Sequence, residues 1–212
     1  MKRVRVVWGA LILVLVMSLT VGASSFQADG SYLLGFGDYN GDKSQSRGFL
    51  VNGAIEFVPN LLVDGSFLSL NYTKLKDTEL AEGESLNERL ITVGGLYRVL
   101  SEPDLQVLVG AGLTNYNAEG TTDKFAGKGI YGKVGLEFEV MPKVHLLADL
   151  SYAPKFKLEE KDGSVIAARA TVSYELIHDI SLQGTVKHYK VSATDVSTSS
   201  NTLVGGGLVL SF

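Results

Sequence analysis

Three histidines and a scatter of acids are the side chains in this 212-residue chain that could move protons or hold a metal. Cysteine is absent, which removes thiolate nucleophiles, disulfides and sulfur-ligated metals. A histidine held beside a carboxylate can serve as the general base of a hydrolase. His145 follows a short turn and His178 lies inside one, so both fall at one edge of the molecule. Only His188 stands toward the opposite end of its segment, at a height shared with Asp123 and Asp195 in nearby polar stretches. No motif links these three, and the parity of His188 with Val186 turns it outward, as a rim histidine. Asp77, Glu79, Glu82, Glu84 and Glu88 crowd one polar stretch and could hold a divalent cation. They lack the spacing of a calcium loop, so a solvated loop is the simpler reading. Gly205-Gly206-Gly207 precedes no helix and is no phosphate loop, and Asn71-Tyr72-Thr73 is treated as a chance sequon. No cofactor and no metal is expected.

The elements that would position these residues are strands. Ten segments alternate with period 2, at about 30–39, 47–57, 61–73, 89–99, 105–116, 128–140, 144–153, 164–176, 180–190 and 202–212. Short connections alternate with longer polar ones. The short ones are 58–60, 100–104, 141–143 and 177–179; the longer ones are about 40–46, 74–88, 117–127, 154–163 and 191–201. Pro59, Pro103 and Pro142 sit in short turns, where a missing N–H costs little. Turn lengths pair Phe57 with Leu61, Val99 with Leu105, Val140 with Val144 and Leu176 with Ile180, so all four hairpins agree on the apolar face. In the third segment Val63 and Phe67 share one parity, while Leu68, Leu70 and Tyr72 share the other. A β-bulge near Phe67-Leu68 is expected to reconcile them.

One face is almost free of charge, as in Val107, Val109, Val134, Leu136, Leu150 and Val172. Phe57, Tyr97, Phe138, Tyr174 and Phe212 recur on that face at intervals of roughly 36–41 residues, beside the short turns or at the last residue. This makes them a candidate aromatic girdle. The other face carries glycines and the charges Glu56, Asp64, Arg98, Lys133, Glu137, Asp149, Arg169, Glu175 and Lys187. If that face lines a narrow lumen, these charges must pair, because an unpaired buried charge is costly. Asp149 is expected diagonal to Lys133, and Arg98 among Glu56, Asp64 and Glu137. Phe156 and Leu158 alternate with charges in a stretch that could extend a hairpin beyond the membrane.

Residues 1–23 read as a cleaved signal peptide: Lys2, Arg3 and Arg5, then an uncharged run from Val6 to Met17, then Val21-Gly22-Ala23. Its loss takes the net charge from −4 to about −7, leaving no basic face for nucleic acid. Residues 24–212 form one domain. With no later apolar run long enough for a helical span, a membrane-spanning form must be a closed barrel. The alternatives are a soluble β-sandwich or a lipocalin-like barrel with the uncharged face as core.

The last strand, with Val204, Leu208, Leu210 and Phe212 on one face, resembles the C-terminal signal of bacterial outer-membrane proteins. Together with the leader and the preceding strands, the chain resembles small outer-membrane barrels of the OmpA and OmpX type. The stretch from Ser151-Tyr152-Ala153-Pro154 through Ala170–Tyr174 to Leu182-Gln183-Gly184 is weakly similar to the YfaZ type. The resemblance implies an all-β, antiparallel up-and-down transmembrane β-barrel of ten strands, eight being the alternative, with short periplasmic turns and longer extracellular loops. It implies residence in the bacterial outer membrane, membrane lipid as environment, and the β-barrel assembly machinery as partner through the C-terminal strand. No periplasmic peptidoglycan-binding domain of the OmpA type is expected. The function expected is non-enzymatic, structural and surface-interacting, with an unidentified extracellular loop partner. A narrow pore for ions or small polar solutes is the alternative. A membrane-embedded hydrolase is a third reading, since hydrolytic barrels of that membrane carry their histidines near the outer leaflet, where only His188 would lie.

Overall fold

A computed structural model of the protein describes residues 25–75, 78–79, 86–120, 124–159, 161–193 and 199–212. The expected leader, with Asp77, Glu82, Glu84, Asp123 and Asp195, lies outside the described residues. The strands are β1 (Ser25–Tyr39), β2 (Asp42–Val58), β3 (Leu61–Leu75), β4 (Thr78–Glu79), β5 (Asn87–Glu102), β6 (Leu105–Glu119), β7 (Lys124–Met141), β8 (Val144–Leu158), β9 (Lys161–Ile177), β10 (Ile180–Ala193) and β11 (Ser199–Ser211). The two-residue β4 pairs with β3 alone. The other ten form one antiparallel meander in which β1 pairs with both β2 and β11. The ring is closed, so no long edge is left unpaired.

Strand boundaries run beyond the alternating segments read from the sequence. Asn40 (φ 55°) and Gly41 (φ 84°) make a two-residue turn where a loop from 40 to 46 was expected. Asn-Gly suits this because both central residues of such a turn need left-handed backbone. Likewise β8 and β9 occupy most of 154–163. At the opposite end, the short turns are two residues each. Each is followed or preceded by a bulge, at Phe57, Val99, Val140 and Leu176. The bulge restores the parity that a three- or five-residue turn would have given.

Period-2 alternation puts the uncharged face outside and the mixed face inside. At the short-turn end the inside is polar and open. At the other end it is filled by Leu33, Leu50, Leu68, Leu70, Leu90, Phe156, Leu158 and Leu203. Fully burying each such side chain contributes about 1.5–3 kcal/mol. This core corrects the expectation for β3. Its register is continuous past Phe67 and Leu68 against both β2 and β5. Leu68, Leu70 and Tyr72 point inward, to fill that end of the barrel, and no bulge is needed to bring them out. A different bulge matters more. Between Ala153 and Phe156 the β8 register shifts, at Pro154, which has no N–H to give. The shift flips parity, turning Phe156 and Leu158 inward and Lys155 and Lys157 outward. Gly127 and Gly129 on β7 make room for the Phe156 ring. A Cβ at Gly127 would stand 2.4 Å from Phe156 Cζ.

Candidate functional site

The open end of the lumen is a vestibule of about 500 Å³, with Phe26, His178 and Phe212 at its mouth and Asp29, Asp64, Arg98, Gln106, Lys133, Glu137, Asp149 and Arg169 on its walls. The charges are tied in pairs. Arg98 meets both carboxylate oxygens of Glu56, at 3.2 and 3.3 Å. Lys133 Nζ reaches Asp64 across the lumen at 2.6 Å. Arg169 donates from Nη2 to Asp149 at 2.6 Å and lies 3.8 Å from Asp29. Asp29 also accepts from Asn52 (2.7 Å) and Gln183 (3.1 Å). Such pairing offsets the desolvation of charges inside a barrel. Above this layer a void of about 30 Å³, room for a water or two, is bordered by Lys133, Asp149, Arg169 and Lys187.

These partners differ in part from those expected. Asp149 does lie diagonal to Lys133 in the β7–β8 register, but it stands opposite Arg169 on β9 and bonds to that residue. Lys133 goes to Asp64 because Tyr131 and Lys133 of β7 face β3 across a lumen narrowed by Gly94, Gly110 and Gly112. Of Glu56, Asp64 and Glu137, only Glu56 engages Arg98. Glu137, Glu175 and Lys187 sit on inward positions, with Lys187 buried beside Arg169. Asp29 was missed because β1 begins earlier than its apolar run. Its parity with Ser31 and Leu33 was the available signal.

A second cluster lies near the other end. Glu88 is on β5, not in a loop, and is only 1 % exposed. Tyr116 donates to one of its oxygens at 2.5 Å, and Tyr189 donates to the other. Asn201 Nδ2 reaches Tyr72 (2.7 Å), Tyr189 (3.0 Å) and Ser199 (2.9 Å). Tyr39 packs edge-on against Tyr72 at 5.7 Å. This network ties β3, β5 and β6 to β10 and β11 across the barrel. Among the described residues no cation faces Glu88 within ion-pair distance, so hydroxyls, those of tyrosines and of Ser199, satisfy the carboxyl. Read with its neighbours Glu82 and Glu84, Glu88 looked like one more loop acid. The inward parity with Leu90 was the discriminating sign.

Phe57, Tyr97, Phe138, Tyr174 and Phe212 all stand exposed on the outer face at the short-turn end. His188 is outward and accepts or donates at Thr202 Oγ1, 3.1 Å away. His145 is inward near the vestibule mouth, and His178 lies 3.3 Å from Asp179 in a turn. Lys157 lies 2.6 Å from Asp162 at the tip of the β8–β9 hairpin, and its hydrogen bond holds that carboxyl below the usual range.

The sequence matches the model of the outer membrane protein beta-barrel domain over residues 9–175. The chain belongs to that family. This outer-membrane barrel is also similar in fold to solved structures. The outer membrane protease OmpT of Escherichia coli superposes with a TM-score of 0.57 at 10% identity, covering 90% of this chain and 97% of that one. Neisserial surface protein A gives 0.47 at 11% identity, with 89% and 96% covered. The attachment invasion locus protein Ail of Yersinia pestis gives 0.40 at 13%, with 88% and 98% covered. At such identities the likeness to OmpT is one of barrel shape, not of chemistry. No curated protein matches the sequence. In a bacterial outer-membrane barrel the short turns are periplasmic and the other connections extracellular. The vestibule therefore opens to the periplasm, and the Glu88 cluster lies toward the cell exterior.

Proposed function

We propose that this outer-membrane barrel is a non-conducting, non-enzymatic envelope protein that contributes structure and presents its extracellular hairpins to a partner. One observation carries the reading: among the described residues, buried side chains fill most of the extracellular half of the lumen. Leu33, Phe156, Leu158 and Leu203 are fully buried there, and the Glu88 network crosses the same region. An ion entering from the periplasm would meet side chains in van der Waals contact, not a water column. The last strand, with Val204, Leu208 and Phe212 outward, supports recognition by the β-barrel assembly machinery.

Planar-bilayer recording tests this. The folded barrel, shown folded by its mobility shift on boiling, should give no steady single-channel conductance. Steady openings would favour the second reading, a narrow pore, which the charged vestibule of about 500 Å³ supports. Hydrolysis is tested separately, with ester lipids and peptides as substrates. Turnover abolished by His188→Ala would overturn the non-enzymatic reading.

A further inference from the structure

The charged layer between the vestibule and the apolar plug is not fully tied. Lys133 is held by Asp64 at 2.6 Å, and Arg169 by Asp149 through both Nε (2.7 Å) and Nη2 (2.6 Å). The next cation, Lys187 of β10, is only 8 % exposed. Among the described residues it makes neither an ion pair nor a hydrogen bond. Asp149 and Asp29 act on it from beyond ion-pair distance, while Asp149 bonds to Arg169 and Asp29 accepts from Asn52 and Gln183. Lys187 also stands directly opposite Arg169 in the β9–β10 register, where like charges repel. A buried charge without a contact partner is costly.

Lys133, Arg169 and Lys187 all border the void of about 30 Å³, and Asp149 is the one carboxylate on its wall. The wall therefore carries three positive groups against one negative. Thr114 of β6 lines it too, with a buried hydroxyl that has no hydrogen-bond partner in the protein. The Tyr131 hydroxyl, seated against Gly94 and Gly112, also borders the space. Buried polar groups are nearly always satisfied, by protein, by water or by an ion.

The geometry points to a binding site in this chamber for one small anion of chloride size, held by Lys187 and Thr114 with Lys133 and Arg169 around it. Room for a water or two admits a monatomic anion and is too small for sulfate or phosphate. Water fits as well, but it leaves the excess positive charge of the wall uncompensated in a low-dielectric interior. The anion enters from the periplasmic side, because Lys133, Asp149 and Arg169 line both the chamber and the vestibule. Such binding needs no path through the barrel, so it holds whether or not the barrel conducts.

The test measures urea unfolding of the barrel in nonionic detergent, in sodium chloride and in sodium sulfate at equal ionic strength. Sulfate generally strengthens burial, so an advantage for chloride runs against the ordinary salt effect. The unfolding equilibrium constant should be about tenfold smaller in chloride, as for a ligand present at about ten times its dissociation constant. Lys187→Met and Thr114→Val should each shrink that preference, while Lys143→Gln at a periplasmic turn keeps it. The boiling-dependent mobility shift confirms that each variant folds. Crystals grown in sodium bromide should show an anomalous peak between Lys187 and Thr114. Equal or greater stability of the unaltered barrel in sulfate overturns the inference, whatever the variants do. A folded Lys187→Met barrel that keeps the full chloride preference also overturns it. So does ordered water without bromide in the chamber, or a bromide peak without a chloride preference in solution, which is binding at crystal concentration only.

Discussion

The rings of Phe26 and Phe212 stack with centroids 6.2 Å apart, and the two backbones exchange a pair of 2.8 Å hydrogen bonds. This contact joins the first strand to the last residue and closes the ring at its periplasmic edge. Stacking of this kind is worth about 1 kcal/mol beyond burial. Phe212→Ala should lower stability by about 1–2 kcal/mol and should reduce the yield of assembled barrel further than Phe26→Ala does. The fraction of heat-modifiable protein in membranes and the urea midpoint of the purified barrel separate the two effects. Equal yields would leave Phe212 no role beyond the stack.

Breaking one lumen pair should cost more than removing it whole. Asp149→Leu leaves Arg169 with only the 3.8 Å contact to Asp29, and a loss of about 3–5 kcal/mol is expected. The double variant Asp149→Leu/Arg169→Met should recover most of that. Refolding midpoints in urea across the four-member cycle measure the coupling. Additive losses would mean that water in the vestibule already solvates these groups.

At the Glu88 cluster, Glu88→Gln keeps the shape and one acceptor oxygen, whereas Glu88→Ala strands the hydroxyls of Tyr116 and Tyr189. Each stranded donor costs about 1–3 kcal/mol. Glu88→Ala should therefore be the more destabilising, and amide hydrogen exchange should quicken at the extracellular ends of β5, β6 and β10 before it does at the periplasmic turns. Uniform quickening would show that the cluster does not act locally.

Gly127 tests the plug. A side chain there must displace the Phe156 ring, an overpacking worth about 1–3 kcal/mol. Gly127→Val should destabilise, and adding Phe156→Ala should restore part of the loss. A neutral Gly127→Val would place the ring elsewhere.

Much of this architecture was legible because lipid enforces a simple rule. A charge at mid-depth costs about 2–4 kcal/mol, so the mid-depth outward residues of β5 through β9 declare themselves by lacking charge. Strand number followed from the alternation of turn sizes, and the proline-marked turns lie where they were read. The extracellular half of the lumen was harder, because its inward residues are as apolar as the outward ones. Leu68 and Tyr72 therefore gave a parity that looked like a register error, when the face had merely stopped being polar. Phe156 was obscured for a related reason: Pro154 shifts the phase by one residue, and alternation before the bulge says nothing about alternation after it. Ion-pair partners depend on distances across the lumen, as from Lys133 to Asp64, and no local pattern encodes these.

At the periplasmic rim the carbonyls of Asn60, Asp104, Lys143 and Asp179 accept, in turn, from the backbone N–H of Arg98, Glu139, Glu175 and Ser211. Each hairpin thus leaves one acceptor that only the following unit can fill. The rim is modular in units of two strands, so a duplicated hairpin would find its neighbour's acceptor waiting, while a single inserted strand would find none. Growth of such a barrel in evolution or in design should proceed by pairs, at a seam already shaped to receive them.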